Sequence, residues 1–127
     1  MELVLVVMLL ALIEYMVFAG LVGRARGQYG VRAPATTGHP TFERIYRVHQ
    51  NTLEALIVFV PALFVFACYL NFTWAAGLGV AFIVARAIYA VSYIRAAERR
   101  GIGAGLTGIV NIVLVLGGLY GLGKHLL

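Results

Sequence analysis

Four apolar runs, Leu3 to Val22, Thr52 to Leu70, Phe72 to Ile94 and Ile102 to Leu122, fill most of this 127-residue chain. Each is near or above the roughly 18–20 residues that a helix needs to cross the hydrocarbon core of a bilayer. Inside lipid the peptide groups must satisfy one another, and runs of this length do so as helices. The chain is 62% apolar and 12% charged, whereas soluble domains have about 45–50% and about 25%. Nothing is left over for a soluble domain. The pattern predicts an all-α membrane protein: a single four-transmembrane-helix bundle over residues 1–127, with helices over roughly 2–23, 42–70, 72–98 and 104–125.

The first run opens on Glu2, not on a basic segment, and is longer than the roughly 7–15 apolar residues of a secretory signal, so it reads as a retained helix. Arg24, Arg26, Arg32 and Arg44 follow it, and Arg95, Arg99 and Arg100 precede the fourth run. The turn around Asn71 has no basic residue. The positive-inside rule therefore makes both arginine-rich connections cytoplasmic and puts both termini on the other side. The net charge of +5 is accounted for by topology and anionic membrane lipids, with no need for nucleic acid. Gly27, Gly30, Pro34, Gly38 and Pro40 mark a loop, Thr41 is a candidate N-cap, and Gly101, Gly103 and Gly105 predict a flexible connection into the last helix.

The segment Glu43-Arg44-Ile45-Tyr46-Arg47-Val48-His49-Gln50-Asn51-Thr52-Leu53-Glu54 runs without a break into the second apolar stretch. At 3.6 residues per turn Arg47, Asn51 and Glu54 share a face, with Arg44 one turn below. That face can hold a zwitterion. A second stripe, on the third helix, has Arg86, Tyr89, Tyr93 and Arg100 at spacings of three, four and seven. Arg86 falls mid-span, where insertion scales charge about 2.5–3.5 kcal/mol for arginine, so a carboxylate partner is expected. Glu14 and Glu54 are the candidates, with Glu14 expected to form a structural ion pair with Arg86. Taken singly, each of these residues is as easily a pin between helices as a ligand contact. Together they supply more donors than two carboxylates can use, which implies a missing anionic ligand.

Other polar residues carry less. His39, His49 and His125 are scattered, and no His, Cys, Asp or Glu spacing suggests a metal site. Cys68 reads as a small packing residue deep in the second helix. Gly117 and Gly121 form a G-x-x-x-G pair, and Asn111 is placed to bond across helices.

The helix-two run, with Arg47-x-x-x-Asn51-x-x-Glu54 followed by Phe59 and Pro61, resembles the signature of the membrane-associated proteins in eicosanoid and glutathione metabolism. The Arg86, Tyr89, Tyr93 and Arg100 pattern is also similar, and the likeness covers nearly the whole chain in size and helix count. The resemblance implies a homotrimer of four-helix subunits with glutathione bound between neighbours near the cytoplasmic face. It implies that Arg47, Asn51 and Glu54 hold the carboxylates and amine of glutathione, and that Tyr89 and Tyr93 line the pocket. Arg24 or Arg26 would reach in from the adjacent subunit. Arg100 matches the arginine that stabilises the thiolate in the leukotriene-synthase-like branch, with adjacent Arg99 as the alternative register. Gln50 and Tyr89 depart from the prostaglandin-synthase-like subset.

The resemblance therefore implies a membrane glutathione transferase or peroxidase, with glutathione as co-substrate, no metal, and a lipophilic small molecule as the second substrate. A guanidinium beside a thiol lowers its pKa from about 8.5, so an arginine can supply the nucleophile at neutral pH. Part of the family binds lipid without catalysis, which makes a lipid-binding scaffold the alternative.

Overall fold

A computed structural model describes residues 1–127. It consists of α1 (Glu2–Tyr29), α2 (Pro40–Tyr69), α3 (Phe72–Arg95), a 3₁₀ turn (Ala97–Arg100) and α4 (Gly101–Leu126). All four α-helices are long and apolar enough to cross a membrane. The shortest, α3 at 24 residues, extends about 36 Å at about 1.5 Å per residue, longer than a hydrocarbon core of about 30 Å. Large apolar side chains lie exposed along every helix, including Leu9, Met16, Ile57, Val84, Ile109 and Leu119. In water such a surface would aggregate; in lipid it is the matching solvent.

The interior is built from side chains that close the gaps between four antiparallel neighbours. Phe59 of α2 and Phe82 of α3 stack with centroids 3.9 Å apart, among the buried Val4, Val7, Leu63 and Leu114. Small residues set the helix spacing. At Gly121 an added Cβ would lie 2.5 Å from the Tyr69 carbonyl oxygen, and at Gly117 it would overlap the Phe66 ring, so the G-x-x-x-G pair brings α4 onto α2. Asn111 donates from Nδ2 to the Ala55 carbonyl at 3.2 Å, crossing from α4 to α2.

Four boundaries differ from the sequence-based expectation. The first helix does not stop near residue 23 but runs through Gly23 and Gly27 to Tyr29. It ends where Gly30 adopts φ +68, with the Gly30 N–H bonded to Arg26 O, a left-handed cap. The apolar run ended earlier because the helix continues past the lipid, where arginines are good helix formers. The second helix starts at Pro40, with His39 as its cap: Nδ1 accepts from the Thr41 N–H at 3.2 Å. Thr41 is thus the capped residue, not the cap, and proline at N1 supplies the helical φ. The third helix stops at Arg95, short of residue 98, and Gly101, Gly103 and Gly105 are helical, not a flexible connection. Gly103 is glycine because α4 needs it for packing: a Cβ there would sit 2.5 Å from the Tyr89 Cα and N. Cys68 is exposed on the outside of α2, so it is not a core packing residue.

Candidate functional site

The polar side chains gather at the end of the bundle formed by the start of α2, the end of α3 and the 3₁₀ turn. A cavity of about 250 Å³ there is lined by Pro40, Glu43, Arg44, Arg47, Tyr93 and Ala97. Phe18, Val48, Tyr89 and Ala90 form a buried apolar cluster beneath this end. The loop before α2 is fastened by contacts within the chain. Tyr29 stacks on His39 at 4.1 Å, Arg26 Nη1 donates to Ala35 O at 2.7 Å, and Gly38 N–H donates to Glu43 Oε2 at 3.1 Å.

Arg44 holds the two walls together. Its Nε donates to the Ile94 carbonyl at 3.0 Å, in the last turn of α3, where a cation also meets the negative end of the helix dipole. Its Nη2 reaches Thr41 Oγ1 at 3.4 Å. Arg47, one turn further along α2, is exposed and forms no hydrogen bond or ion pair within the chain. A further turn on, Asn51 Nδ2 donates to the Tyr89 hydroxyl at 2.6 Å. Tyr89 is 2% exposed, its ring meets Tyr93 edge-on at 5.4 Å, and the Arg100 guanidinium lies 5.8 Å from the Tyr93 ring centroid. Asn51, Tyr89, Tyr93 and Arg100 thus form a linked series, which Arg47 joins only by sharing the cavity wall with Tyr93; Asn51, Tyr89 and Arg100 do not line that cavity.

The members do not all sit as the sequence suggested. Arg100 lies in the 3₁₀ turn beyond α3, with Nη1 on Ala97 O at 3.3 Å, so the spacing of seven that placed it on the third helix is not helical. It reaches Tyr93 because the chain folds back after Arg95. Arg99 is exposed beside it. Glu54 is exposed on the lateral surface of α2 and bonds nothing in its own chain. Arg26 is half-buried, its guanidinium 5.0 Å from the Phe42 ring centroid and bonded to Ala35, whereas Arg24 is exposed.

Arg86 departs furthest. It is 3% exposed, and neither Glu14 nor Glu54 bonds it. Its Nε and Nη2 donate to Thr52 Oγ1 at 3.2 and 3.0 Å, and its Nη1 donates to Thr107 Oγ1 at 3.4 Å. Glu14 Oε1 is buried without a hydrogen-bond partner, so the expected Arg86–Glu14 pair is not a contact pair. Sequence reasoning missed Thr52 and Thr107 as partners because it sought a carboxylate for a cation. The signal was present in Thr52, next to Asn51 in the motif, and in Thr107, an isolated hydroxyl in an apolar helix. His49 is off the polar face, as its register requires, and stacks on Tyr15 of α1 at 4.7 Å.

Comparison with known proteins gives a match to the model of the MAPEG family over residues 4–120. An uncharacterized protein of Synechocystis is 47% identical over 110 residues, 87% of this chain and 80% of that protein. Human microsomal glutathione S-transferase 2 is 40% identical over 103 residues, 80% of this chain and 70% of its own length. Leukotriene C4 synthase of Cavia porcellus is 36% identical over 94 residues, 74% of this chain and 63% of the synthase.

Proposed function

This chain belongs to the MAPEG family, and from that premise we propose that it is an integral membrane glutathione transferase that binds glutathione at the Arg47 end of the bundle and presents its sulfur as a thiolate to lipophilic electrophiles. The observation that carries this reading is the surplus of cationic donors there. Arg47 lines the cavity without a partner, Arg44 stands beside it, Arg100 lies over Tyr93, and the only carboxylate in the wall, Glu43, is already bonded to Gly38 N. Glutathione offers two carboxylates, one ammonium and a thiol. The carboxylates go to Arg47 and Asn51, and the ammonium to Glu54.

Glu54 is exposed beside Leu53, Ile57 and Val58 on the outer face of α2, and Arg47 is exposed about two turns before it. Charges in that position are costly against lipid, so a neighbouring subunit covers them; the homotrimer is the assembly that the family resemblance implies. Of the two arginines expected to cross from the neighbour, Arg24 is the free one, because Arg26 is used in its own loop. Both arginine-rich connections face the cytoplasm, where glutathione is taken up, and the second substrate enters from the lipid side.

In this reading Arg100 stabilises the thiolate, with the Tyr93 ring packed beneath its guanidinium. The sulfur lone pair attacks the electrophilic carbon, a C–S bond forms, and the leaving group departs with the bonding electrons; with an epoxide the opened oxygen takes up a proton. With a hydroperoxide, one glutathione attacks the terminal oxygen to give a sulfenic acid and an alcohol. A second glutathione then displaces water to form the disulfide. Holding the thiolate and the electrophile side by side supplies the proximity term of the rate.

The test is calorimetric titration of the detergent-purified protein with glutathione, beside thioether formation from a generic aryl halide and native mass spectrometry. Saturable binding, turnover and a trimeric mass are expected. A folded protein that binds no glutathione would overturn the reading; one that binds it without turnover would be a binding protein of the same fold.

A further inference from the structure

Arg86 carries a charge in the middle of the bundle, and every hydrogen bond it makes ends on a hydroxyl. Thr52 comes from α2 and Thr107 from α4. Thr107 gives its own proton to Gly103 O at 2.8 Å, which leaves its lone pairs for the guanidinium. A hydroxyl orients a guanidinium without cancelling its charge; a bonded carboxylate would do both. Among the neighbouring elements, α1 contributes Glu14, which acts on Arg86 through space and makes no hydrogen bond with it. On α2, His49 is stacked against Tyr15, and the part of α4 around Thr107 carries no charged side chain.

The clamped guanidinium lies 4.0 Å from the centroid of the Tyr89 ring. The Tyr89 backbone is pressed against Gly103 so closely that a Cβ would not fit. Its phenol oxygen accepts from Asn51 Nδ2 at 2.6 Å. One lone pair of the oxygen is therefore taken, and the phenol proton has no acceptor within the chain. A cation over the π face draws electron density from the ring and makes that O–H a stronger donor.

We infer that Arg86 is a positioning residue for the glutathione site, acting through Tyr89: held by Thr52 and Thr107, it fixes the ring and strengthens the phenol O–H as a hydrogen-bond donor to the anionic sulfur. The inference rests on the glutathione reading proposed above and adds a second source of thiolate stabilisation, independent of Arg100.

The experiment is a pH titration of thiolate absorbance for glutathione bound to the intact assembly, in the parent, Arg86→Gln, Thr52→Val, Tyr89→Phe and the Arg86→Gln/Tyr89→Phe double variant. A hydrogen bond to a charged group is worth on the order of one pKa unit, and a Tyr89 ring no longer held and polarised by the clamped guanidinium gives up most of it. Arg86→Gln is therefore expected to raise the thiolate pKa by about that much. Thr52→Val, which loosens the clamp and nearly conserves volume, should shift it in the same direction by less. In the Tyr89→Phe background Arg86→Gln should produce little further shift. An unchanged thiolate pKa in folded Arg86→Gln would overturn the inference, as would an undiminished shift in the Tyr89→Phe background. Should Arg86→Gln fail to assemble, an unchanged pKa in Thr52→Val overturns it equally. Absence of any bound thiolate in the parent would instead overturn the underlying glutathione reading.

Discussion

Substituting Gly103 by alanine tests how α4 positions the site. The added Cβ would lie 2.5 Å from both the Cα and the N of Tyr89. Carbon contacts are comfortable at about 3.5–4.0 Å, so α4 must retreat from α3 by about 1 Å or more. The obstacle is backbone, which cannot rotate out of the way as a side chain would. Overpacking of this kind costs about 1–3 kcal/mol. Exchanging glycine for alanine inside a helix also gains about 0.8–1.0 kcal/mol of propensity, so the informative comparison is with Gly105→Ala and Gly108→Ala, where nothing lies within 4 Å of the added Cβ. Gly103→Ala should be about 1–3 kcal/mol less stable than either control in thermal unfolding of the detergent-solubilised protein. It should also weaken glutathione binding, because Gly103 O anchors Thr107 and the Gly103 backbone seats Tyr89. Equal stability among the three variants would refute the close approach and the argument built on it.

Arg44→Gln removes the bond to the Ile94 carbonyl and should cost about 1–2 kcal/mol; an unchanged unfolding transition would mean that Arg44 does not fasten α3 to α2. Arg47→Ala should weaken glutathione binding by about 2 kcal/mol, roughly thirtyfold in Kd, and Asn51→Ala should weaken it less, with both read by calorimetry. Unchanged constants in folded protein would make that stripe structural. Arg100→Ala should raise the pKa of bound thiolate and lower kcat more than it weakens binding, with Arg99→Ala doing much less. A larger effect at Arg99 would exchange their roles.

The membrane fold was legible because four apolar runs of spanning length leave little freedom in lipid, and the Arg47, Asn51 register held because α2 is an unbroken helix through both. The Tyr89 and Tyr93 pairing was legible for the same reason within α3. Boundaries were harder. Apolar periodicity reports where lipid ends, and α1 continues beyond that to a glycine at positive φ. Arg100 was reached by extrapolating a helical period past the end of its helix; its position depends on the 3₁₀ turn. The partner of Arg86 was misjudged because charge was matched with charge, whereas two threonines from different helices satisfy the guanidinium. Gly103 read as part of a flexible connection because a glycine that permits bending and one that permits contact are the same letter.

Whether this end of the bundle binds glutathione and ionises it is decided by ultraviolet titration of the bound thiolate. With the purified protein saturated with glutathione, a thiolate band should persist well below the ordinary thiol pKa of about 8.5. The band should vanish on displacement by a thioether of glutathione, which occupies the same contacts and has no ionisable sulfur. A bound thiol that titrates as it does in free solution, or a protein that shows no band at all, would contradict the glutathione reading.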